Sequence, residues 1–378
     1  MSHFAVVGAG IGGLSVAIAL RKAGHDVTVH EQARAFGRVG ADINLTPNAV
    51  NALDGLGVGA EIRAAAARPT HRISRTWDSG EETSRLAMAD TAQDRYGAPQ
   101  LTMHRADLMT ALEHAAGDVI RFGSRVHGLH ADHTGVELEF AEGGTARADA
   151  AIGADGIHSA VRSALFGPEQ PQFTGVVAYR SVVPVTRLAG VPDVGAFTKW
   201  WGPDPDTQIV TFPLGHGNVF VFATTPRSTW TEESWTLPGD PDELRSHYTD
   251  FHPHARALLD ACEEVLASAL YVRDPLPRWG TGSATLLGDA CHPMTPFMAQ
   301  GAGQSIEDAV VLARCVEAYS GLGDAFAAYE HSRQERTARI QIGSRGNNWL
   351  KDAGNGDWVY EYNPWTAPLA GPQVASPA

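Results

Sequence analysis

The chain has 378 residues, of which 43% are hydrophobic and 19% are charged, and its formal net charge is −14. This length suits two or three domains of ordinary size, with enough apolar residues for a buried core. Nucleic-acid binding draws its affinity from clustered Lys and Arg, and this acidic sequence has no basic stripe. The composition therefore argues against a nucleic-acid partner.

The sequence also lacks membrane, targeting and disulfide signals. No stretch reaches the roughly 18 unbroken apolar residues of a membrane span, and we read no signal peptide at the start. Cys262, Cys291 and Cys315 lie far apart without a CxxC spacing, so we expect neither a disulfide framework nor a bound metal. We predict a cytoplasmic protein, monomer or homodimer, with no membrane partner.

A nucleotide-binding unit is predicted at the start of the chain. Residues 4–7 form an apolar strand pattern, residues 8–13 a glycine-rich turn, residues 14–22 a helix pattern and residues 26–29 a second strand, which leads to Glu31. Such a turn aims unpaired backbone N–H groups and the positive end of a helix dipole at one point, where a pyrophosphate can bind.

Each residue type in this unit has a physical reason. Gly8 permits the tight turn, Gly10 lets the phosphates approach the backbone, and Gly13 lets the helix pack against the strand. Glu31 stands about twenty residues further on, where an acid bonds a ribose hydroxyl. The pattern predicts an adenine dinucleotide but fits NAD as well as FAD, and an ordinary strand–turn–helix that needed glycines is the alternative.

The rest of the chain alternates between two patterns. Residues 151–162 and 284–313 repeat the strand, turn and helix of the start. Residues 70–86 and 173–230 are short runs rich in Val, Thr and aromatic residues with turn signals between them, which predict an antiparallel sheet. We further predict a nucleotide-domain strand series at 119–150.

Helices and irregular structure are predicted for the remaining segments. The pattern predicts a helical pair at 241–270 and a solvated Arg/Glu-rich helix from 326 onward. Residues 364–378, rich in Pro, Ala and Gly, are expected to be frayed. Arg105 lies in the first turn of a predicted helix, where a cation opposes the dipole, so we expect it to face an anion. His216 is expected in a turn, and His292 in a structural role.

Three motifs in order identify a family. They are the glycine fingerprint at 8–13, Asp155-Gly156, and Gly288-Asp289 followed by a helix start at 300–303. With them the sequence resembles the FAD-dependent aromatic hydroxylases of the p-hydroxybenzoate hydroxylase fold over nearly its whole length. Within that family it resembles the 6-hydroxynicotinate 3-monooxygenases, with the salicylate hydroxylases next. Those relatives carry histidines where this chain has Asn44 and Phe297.

The resemblance implies the fold and the domain division. We expect an α/β fold with a discontinuous, Rossmann-like FAD-binding domain at 1–70, 100–172 and 280–325. An inserted substrate domain, a mixed and largely antiparallel β-sheet, would comprise 71–99 and 173–279. Residues 326–378 would form C-terminal helices and a tail.

The resemblance also assigns residues to FAD. Gly8, Gly10, Gly13 and Glu31 would bind its ADP half, Arg38 and Arg105 the ribityl and phosphate region, and Asp155 and Gly156 the pyrophosphate. Asp289 would bind the ribityl hydroxyls, and Gly301 and Ala302 the flavin N1 and C2-oxygen region. Arg38 as a solvated surface charge is an alternative, and a helix N-terminus at Gly301 would favour the charge of a reduced flavin.

The implied reaction hydroxylates a small hydroxylated aromatic or N-heteroaromatic acid with O₂ and NAD(P)H, NADH being expected, and it can release CO₂. The candidate catalytic residues are Tyr179, Asn44 and Pro296, and the candidate substrate neighbours are Asn44, Tyr179, Trp201, Thr211 and Phe297. Core packing is the alternative for each of them.

Other functions remain open at this stage. Within the family, the alternatives are a salicylate hydroxylase-like enzyme and a tailoring hydroxylase of natural-product synthesis. A NAD-dependent dehydrogenase would use the first unit but has no need of the Gly288-Asp289 motif. A flavin halogenase or oxidase, or a flavoprotein without turnover, is a further alternative.

Overall fold

The fold is described from a computed structural model, for residues 1–37, 42–132, 134–230, 237–346 and 356–371. The strands, in chain order, are β1 His3–Val7, β2 Asp26–His30, β3 Ile43–Leu45, β4 His71–Thr76, β5 Glu82–Ala87, β6 Leu101–Met103, β7 Ile120–Arg121, β8 Val126–Asp132, β9 Gly135–Phe140, β10 Thr145–Ala148, β11 Ala150–Gly153, β12 Gln172–Pro184, β13 Phe197–Trp201, β14 Gln208–Leu214, β15 Asn218–Pro226, β16 Pro238–Gly239, β17 Val265–Val272, β18 Gly280–Thr281 and β19 Ala284–Leu286.

The α-helices follow the same order. They are α1 Ile11–Lys22, α2 Pro47–Leu56, α3 Gly59–Ala65, α4 Ala89–Tyr96, α5 Arg105–Ala116, α6 Ala160–Phe166, α7 Pro241–Ser246, α8 Pro253–Asp260, α9 Gly301–Ala318, α10 Leu322–Ser344 and α11 Asp357–Tyr360. None of the helices in the described residues is both long and apolar enough to span a bilayer.

A six-stranded sheet carries the predicted nucleotide unit. Its strand order is β18-β19-β11-β1-β2-β7, and β1 runs parallel to both β2 and β11. Residues 4–7 of β1 are buried, as expected where helices cover both faces of a parallel sheet. The predicted first strand, helix and second strand are confirmed.

A second, eight-stranded sheet lies outside the nucleotide unit. Its order is β16-β17-β12-β15-β14-β13-β4-β5. β4 and β13 are parallel, and all the other neighbouring strands of this sheet are antiparallel. Strands from residues 71–87 therefore share one sheet with strands from residues 172–272. The predicted α/β fold with a mixed, largely antiparallel sheet is confirmed, whereas the exact domain boundaries stay a prediction.

Two segments differ from the sequence prediction. Residues 119–150 do not form one series in the nucleotide sheet, because only β7 joins it and β8, β9 and β10 form a separate three-stranded sheet. The segment 241–270 contains α7 and α8, but its last part is β17, which pairs with β12. A short apolar run buried between two strands cannot be told from a buried helix by periodicity alone, which explains the second error.

The prediction of a solvated Arg/Glu-rich helix is wrong for α10. Arg333 on this helix is fully buried and contacts two fully buried acids of α9, Glu307 and Asp308. Its guanidinium nitrogens lie 2.7 Å from a carboxylate oxygen of each acid. Arg336 adds a second cation, with Nε 2.9 Å from Glu307 Oε2. Charged residues here form the interior of the protein rather than its surface.

These cations control the ionisation of the two acids. Burial by itself would raise the pKa of Glu307, but Arg336 and Arg333 hold it below its usual value. Burial acts in the same way on the pKa of Asp308, which His292 and Arg333 lower. Both acids are therefore charged at neutral pH, and neither could be left without its cation.

The C-terminal segment is also more ordered than predicted, as far as residue 371. The Trp365 indole donates to the Ala52 carbonyl of α2 at 3.1 Å. Arg314 of α9 donates to the carbonyls of Pro364 and Ala367 at 2.6 and 2.9 Å. Residues 364–371 thus pack on the helices, and the rest of the tail lies outside the described residues.

We predict that Arg333→Met destabilises the fold by about 3–5 kcal/mol, because it leaves two buried carboxylates without a cation. Urea denaturation of the FAD-saturated protein measures the loss. Arg147→Met is the matched control, since Arg147 pairs with Glu137 with 84% of its side chain exposed, and a surface pair contributes only about 0–1 kcal/mol. Equal losses in the two variants would contradict a buried ion cluster.

Candidate functional site

The glycine turn after β1 has the geometry that a phosphate site requires. Gly8 has φ of +97°, and a Cβ there would lie 2.6 Å from the Ala154 carbonyl oxygen. A Cβ on Gly13 would lie 1.9 Å from the Gly8 carbonyl oxygen, so only glycine fits where α1 meets the turn. Among the described residues, no atom lies within 4 Å of a Cβ built on Gly10. The backbone at Gly10 is therefore open to a ligand.

The three sequence motifs meet around this turn. A Cβ on Gly8 would touch the segment that carries Asp155, and a Cβ on Gly12 would lie 2.6 Å from Leu287, next to the Gly288-Asp289 motif. Gly10 is the N-cap residue of α1 and has no side chain that could cap the helix, so this helix start is open. We call the space in front of it, bordered by the segments of Asp155 and Asp289, the groove. Convergence of three distant segments on one uncapped helix end fits a dinucleotide.

Glu31 lies at the end of β2 and bonds the backbone beside the turn. Its Oε2 accepts from the Ala9 N–H and its Oε1 from the Ala33 N–H, both at 2.8 Å. Each carboxylate oxygen can accept more than one hydrogen bond, so these contacts fix Glu31 and still leave it able to accept from a ribose. Its predicted ribose contact is compatible with this position.

Asp155 accepts hydrogen bonds from the start of α6. Ser159 Oγ donates to Asp155 Oδ1 at 2.5 Å, and the Ala160 and Val161 N–H groups donate to Oδ2 at 2.7 and 3.2 Å. Ser159 is the N-cap of α6. Gly156 follows with φ of +78°. The predicted contacts of Asp155 and Gly156 with the cofactor stay a prediction.

Pairwise electrostatic interactions link four residues of alternating charge in a row that begins at Asp289. Asp289 is exposed to the groove, and Arg105 at the start of α5 is half-buried. Burial lowers the pKa of Arg105, while Asp289 and Asp42 raise it, so this cation does face anions. Arg180 on β12 interacts with Asp42 from the other side. The order along the row is therefore Asp289, Arg105, Asp42 and Arg180.

The start of α9 lies beside Asp289 at the groove. Gly301 and Ala302 are its first residues and are half-buried, and the N-cap residue Gln300 makes no side-chain capping bond. The Gly301 Cβ position lies 3.8 Å from Asp289 Oδ1, so the helix start and the Gly288-Asp289 motif are adjacent. The positive end of the α9 dipole faces the groove. The remaining predicted cofactor residue, Arg38, lies outside the described residues.

A large cavity adjoins this row and lies against the eight-stranded sheet. It encloses about 1080 Å³, counting the part open to solvent. Five phenylalanines line it: Phe197, Phe212, Phe220, Phe222 and Phe297. The Phe197 and Phe212 rings are stacked, with centroids 5.2 Å apart and 6° between their planes. The middle of the cavity is therefore suited to a flat apolar ring.

Polar groups line the ends of the cavity. Arg72 and Ser74 come from β4, Lys199 and Trp201 from β13, and Gln208 from β14. The Lys199 ammonium lies 3.5 Å from the centroid of the Trp201 ring, a cation–π contact. Positive charge is therefore present at the β4 and β13 end.

The opposite side of the cavity carries amides and the charge row. Asn44 Oδ1 accepts from Gln100 Nε2 at 2.8 Å, which orients the Asn44 amide. Asp42 and Arg180 also line the cavity, where it adjoins the groove. Pro296 and Phe297 belong to a short 3₁₀ helix before α9, so they lie between the cavity and the groove.

Of the predicted substrate residues, the structure brings Asn44, Trp201, Pro296 and Phe297 to the cavity, but not Tyr179 or Thr211. Tyr179 packs in a separate apolar core on the other face of the sheet and accepts from Arg227 Nη2 at 3.3 Å. Thr211 is buried but is not among the cavity-lining residues of β14. Because successive strand residues face opposite sides, the neighbours Arg180 and Val210 line the cavity instead.

Sequence reasoning missed several cavity residues. They are Asp42, Arg72, Arg180 and Lys199, none of which the sequence singles out as a site residue. The signal that could have found them is alternation along strands whose two faces are both buried, in which charged residues are rare. His292 bonds Asp308 at 2.6 Å inside the core, which fits its predicted structural role. His216, expected in a turn, lies in a one-turn 3₁₀ segment between β14 and β15 with φ of +63°.

Comparisons with known proteins identify the family. The profile of the family described as "FAD binding domain" matches residues 2–342. The 6-hydroxynicotinate 3-monooxygenase of Bordetella bronchiseptica is 39% identical over 373 residues, 97% of each chain. A 3-amino-4-hydroxybenzoate 2-monooxygenase of Streptomyces platensis is 36% identical over 91% of this chain and 87% of its own. A salicylate hydroxylase solved in a substrate complex superimposes with a TM-score of 0.81 at 26% identity, covering 96% of each chain.

We predict that Gly10→Val abolishes FAD binding but leaves the protein folded. A Cβ at Gly10 meets no described protein atom within 4 Å, and its φ of −72° suits any residue, so the substitution fills only the space in front of the turn. Absorbance near 450 nm after incubation with FAD and gel filtration measures binding, and circular dichroism checks the fold. Gly195→Val is the control, since its Cβ position is also open but lies on another loop. Full flavin content in Gly10→Val would place the cofactor elsewhere.

Proposed function

This chain belongs to the family of FAD-dependent aromatic monooxygenases, and from that premise we propose that it hydroxylates a monocyclic hydroxybenzoate-type acid, using NADH and O₂. The single observation that carries the substrate class is the cavity wall, which contains five phenylalanines and, on β4 and β13, the cations Arg72 and Lys199. The wall would enclose an aromatic ring, and the cations would bind its carboxylate.

The two cations are held on neighbouring strands of one sheet face. In the parallel pair of β4 and β13, Arg72 lies opposite Phe197 and Ser74 opposite Lys199. Arg72 and Lys199 are therefore diagonal neighbours that both line the cavity. A carboxylate between them would receive charge-assisted hydrogen bonds while its ring extends toward the phenylalanines.

The cavity favours a benzene ring over a pyridine ring. Phe297 and Asn44 stand where the nicotinate relatives carry histidines, as noted above, so two imidazoles are replaced by an aromatic face and a neutral amide. A phenylalanine can stack on the substrate ring but offers no hydrogen bond to a ring nitrogen. Asn44, oriented by Gln100, can still donate its amide N–H to a ring hydroxyl oxygen.

The protein groups would hold FAD in the groove through the glycine turn, Glu31, Arg105, Asp289 and the start of α9. When bound, FAD supplies the redox chemistry, which takes two electrons from the nicotinamide and delivers one oxygen atom of O₂ to the ring. Pro296 and Phe297 would set the substrate ring at the junction of cavity and groove. The apolar wall would exclude water from that junction.

The test is substrate-stimulated NADH oxidation with a panel of hydroxybenzoates, hydroxynicotinates and the corresponding phenols without a carboxylate. We expect stimulation and coupled O₂ consumption with hydroxybenzoates, and product analysis will show whether CO₂ is lost. Stimulation confined to uncarboxylated phenols would refute the carboxylate class. Equal or better turnover of hydroxynicotinates would refute the preference for a benzene ring.

We predict that Arg72→Met and Lys199→Met each raise the KM for a hydroxybenzoate by roughly ten-fold or more, because a hydrogen bond to a charged group contributes about 1.5–3 kcal/mol. The same variants should change the KM of an uncarboxylated phenol by much less. Arg187→Met serves as the control, since Arg187 pairs with Glu263 at the surface. Steady-state kinetics measure both constants, and parallel losses on both substrate types would contradict a carboxylate site.

The nicotinamide preference is proposed on the family resemblance alone. We predict a kcat/KM for NADH that is higher than that for NADPH under identical conditions with the stimulating acid present. Comparable or better values with NADPH would overturn this choice without affecting the substrate proposal.

A further inference from the structure

The cavity contains one acid among the described residues that line it, and that acid is Asp42. It stands just before β3, two residues from Asn44, whose amide also lines the cavity. Asp42 interacts electrostatically with Arg105 and with Arg180, and Arg180 also lines the cavity. Asp42 is therefore at the point where a ring held in the cavity would face the cofactor groove.

The reaction needs a proton acceptor at this point. A ring carbon ortho or para to a hydroxyl accepts the transferred oxygen atom more readily when the hydroxyl oxygen gives up its proton and donates electrons to the ring. The other charged or titratable groups lining the cavity are Arg72, Arg180, Lys199 and Tyr360. Three of these are cations and the fourth is a phenol, so none of them is a ready base at neutral pH.

Asp42 has the ionisation that this role requires. Burial raises the pKa of Asp42 to about 6, against the opposing effects of Arg180 and Arg105. Its carboxylate is thus charged at neutral pH, yet it is a stronger base than an exposed aspartate. A general base is most effective when its pKa lies near the working pH.

Arg180 favours the charged form of Asp42. Arg180 is buried, and its guanidinium bonds Ser268 on β17 and lies 5.8 Å from the centroid of the Phe222 ring. Burial lowers the pKa of Arg180 to about 10, and Asp42 opposes that shift. A fixed cation beside Asp42 would also favour the negative charge that develops on the ring oxygen.

We propose that Asp42 is the general base that accepts the proton of the substrate's ring hydroxyl during hydroxylation. The inference rests on the proposed function and names a catalytic residue for it. As the O–H bond breaks, its electron pair forms a carbonyl on the ring, and the ring π-electrons form the new C–O bond to one oxygen atom of O₂ while the O–O bond breaks. Loss of the proton from the hydroxylated carbon then restores aromaticity, and Asp42 returns its proton to the ring oxygen. The second oxygen atom of O₂ leaves as water, for which NADH supplies two electrons as hydride and solvent supplies one proton.

The pH dependence of kcat tests this role. In the wild type, kcat for a hydroxybenzoate should fall about ten-fold per pH unit below about pH 6, because Asp42 becomes protonated and cannot accept a proton. Asp42→Asn should lose this acid limb and have a maximum at least about 100-fold lower, with NADH oxidation uncoupled toward hydrogen peroxide. Asp118→Asn is the control, because Asp118 is exposed and is not a cavity-lining residue. This variant should keep the acid limb of the wild type. An unchanged acid limb in Asp42→Asn would overturn the proposal.

A binding measurement without turnover gives an independent readout. Titration of the oxidised, FAD-loaded protein with hydroxybenzoate and with benzoate, in the absence of NADH, measures how much the ring hydroxyl contributes. The wild type should prefer the hydroxylated acid about ten-fold or more, and Asp42→Asn should lose most of that preference. The same preference in both proteins would count against contact between Asp42 and the hydroxyl.

If Asp42→Asn does not retain FAD, the wild type alone decides. The acid limb should appear with hydroxybenzoates and disappear with aminobenzoates, whose ring amine donates electrons without first losing a proton; a limb with both would overturn the proposal. Failure of the proposed function would show differently, as wild-type protein that no carboxylated ring stimulates. The same pH profile would then be taken with whichever phenol does stimulate turnover.

Discussion

Two adjacent acids buried in one helix constrain the rest of this structure. Glu307 and Asp308 of α9 are fully buried, and an uncompensated buried charge is so costly that every neighbour must be arranged to neutralise them. Arg333 and Arg336 do so from α10, which fixes how the two helices lie. The Gly288 N–H also donates to Asp308 at 3.1 Å, so the same acid holds the loop that carries Asp289.

The polar contacts continue from these acids to the groove and the cavity. Asn48 of α2 donates to Glu307 at 2.6 Å and to Gln300 at 3.0 Å, and Gln300 donates to Thr46 at 2.8 Å. Gln300 is the residue before α9, and Thr46 lines the cavity. The start of α9 is thus tied to the cavity wall by buried hydrogen bonds, which explains why a helix end can be left open toward a cofactor without fraying.

The sequence predicts the groove much better than the cavity, and the reason is local. The glycine turn, Glu31 and the Gly288-Asp289 loop are each read from a few consecutive residues whose backbone conformation requires them. The resemblance implies Tyr179 and Thr211 as substrate neighbours, but both faces of this sheet are buried, so composition does not show which face meets the cavity. For α10 the sequence shows charge but not burial, because the acids that pair with Arg333 lie on another helix.

For the same reason, family membership determines the cofactor, whereas the substrate depends on the side chains that the eight-stranded sheet presents to the cavity. The glycine turn and the start of α9 act through their backbone, whereas the cavity is assembled from single side chains on β4, β12, β13, β14 and β15. Asp42 shows this at one position: its neighbours in space, Arg105 and Arg180, come from distant segments, so its environment exists only in the folded chain. The cavity therefore combines an acid, Asp42, with five phenylalanines and an arginine that interacts with this acid, Arg180.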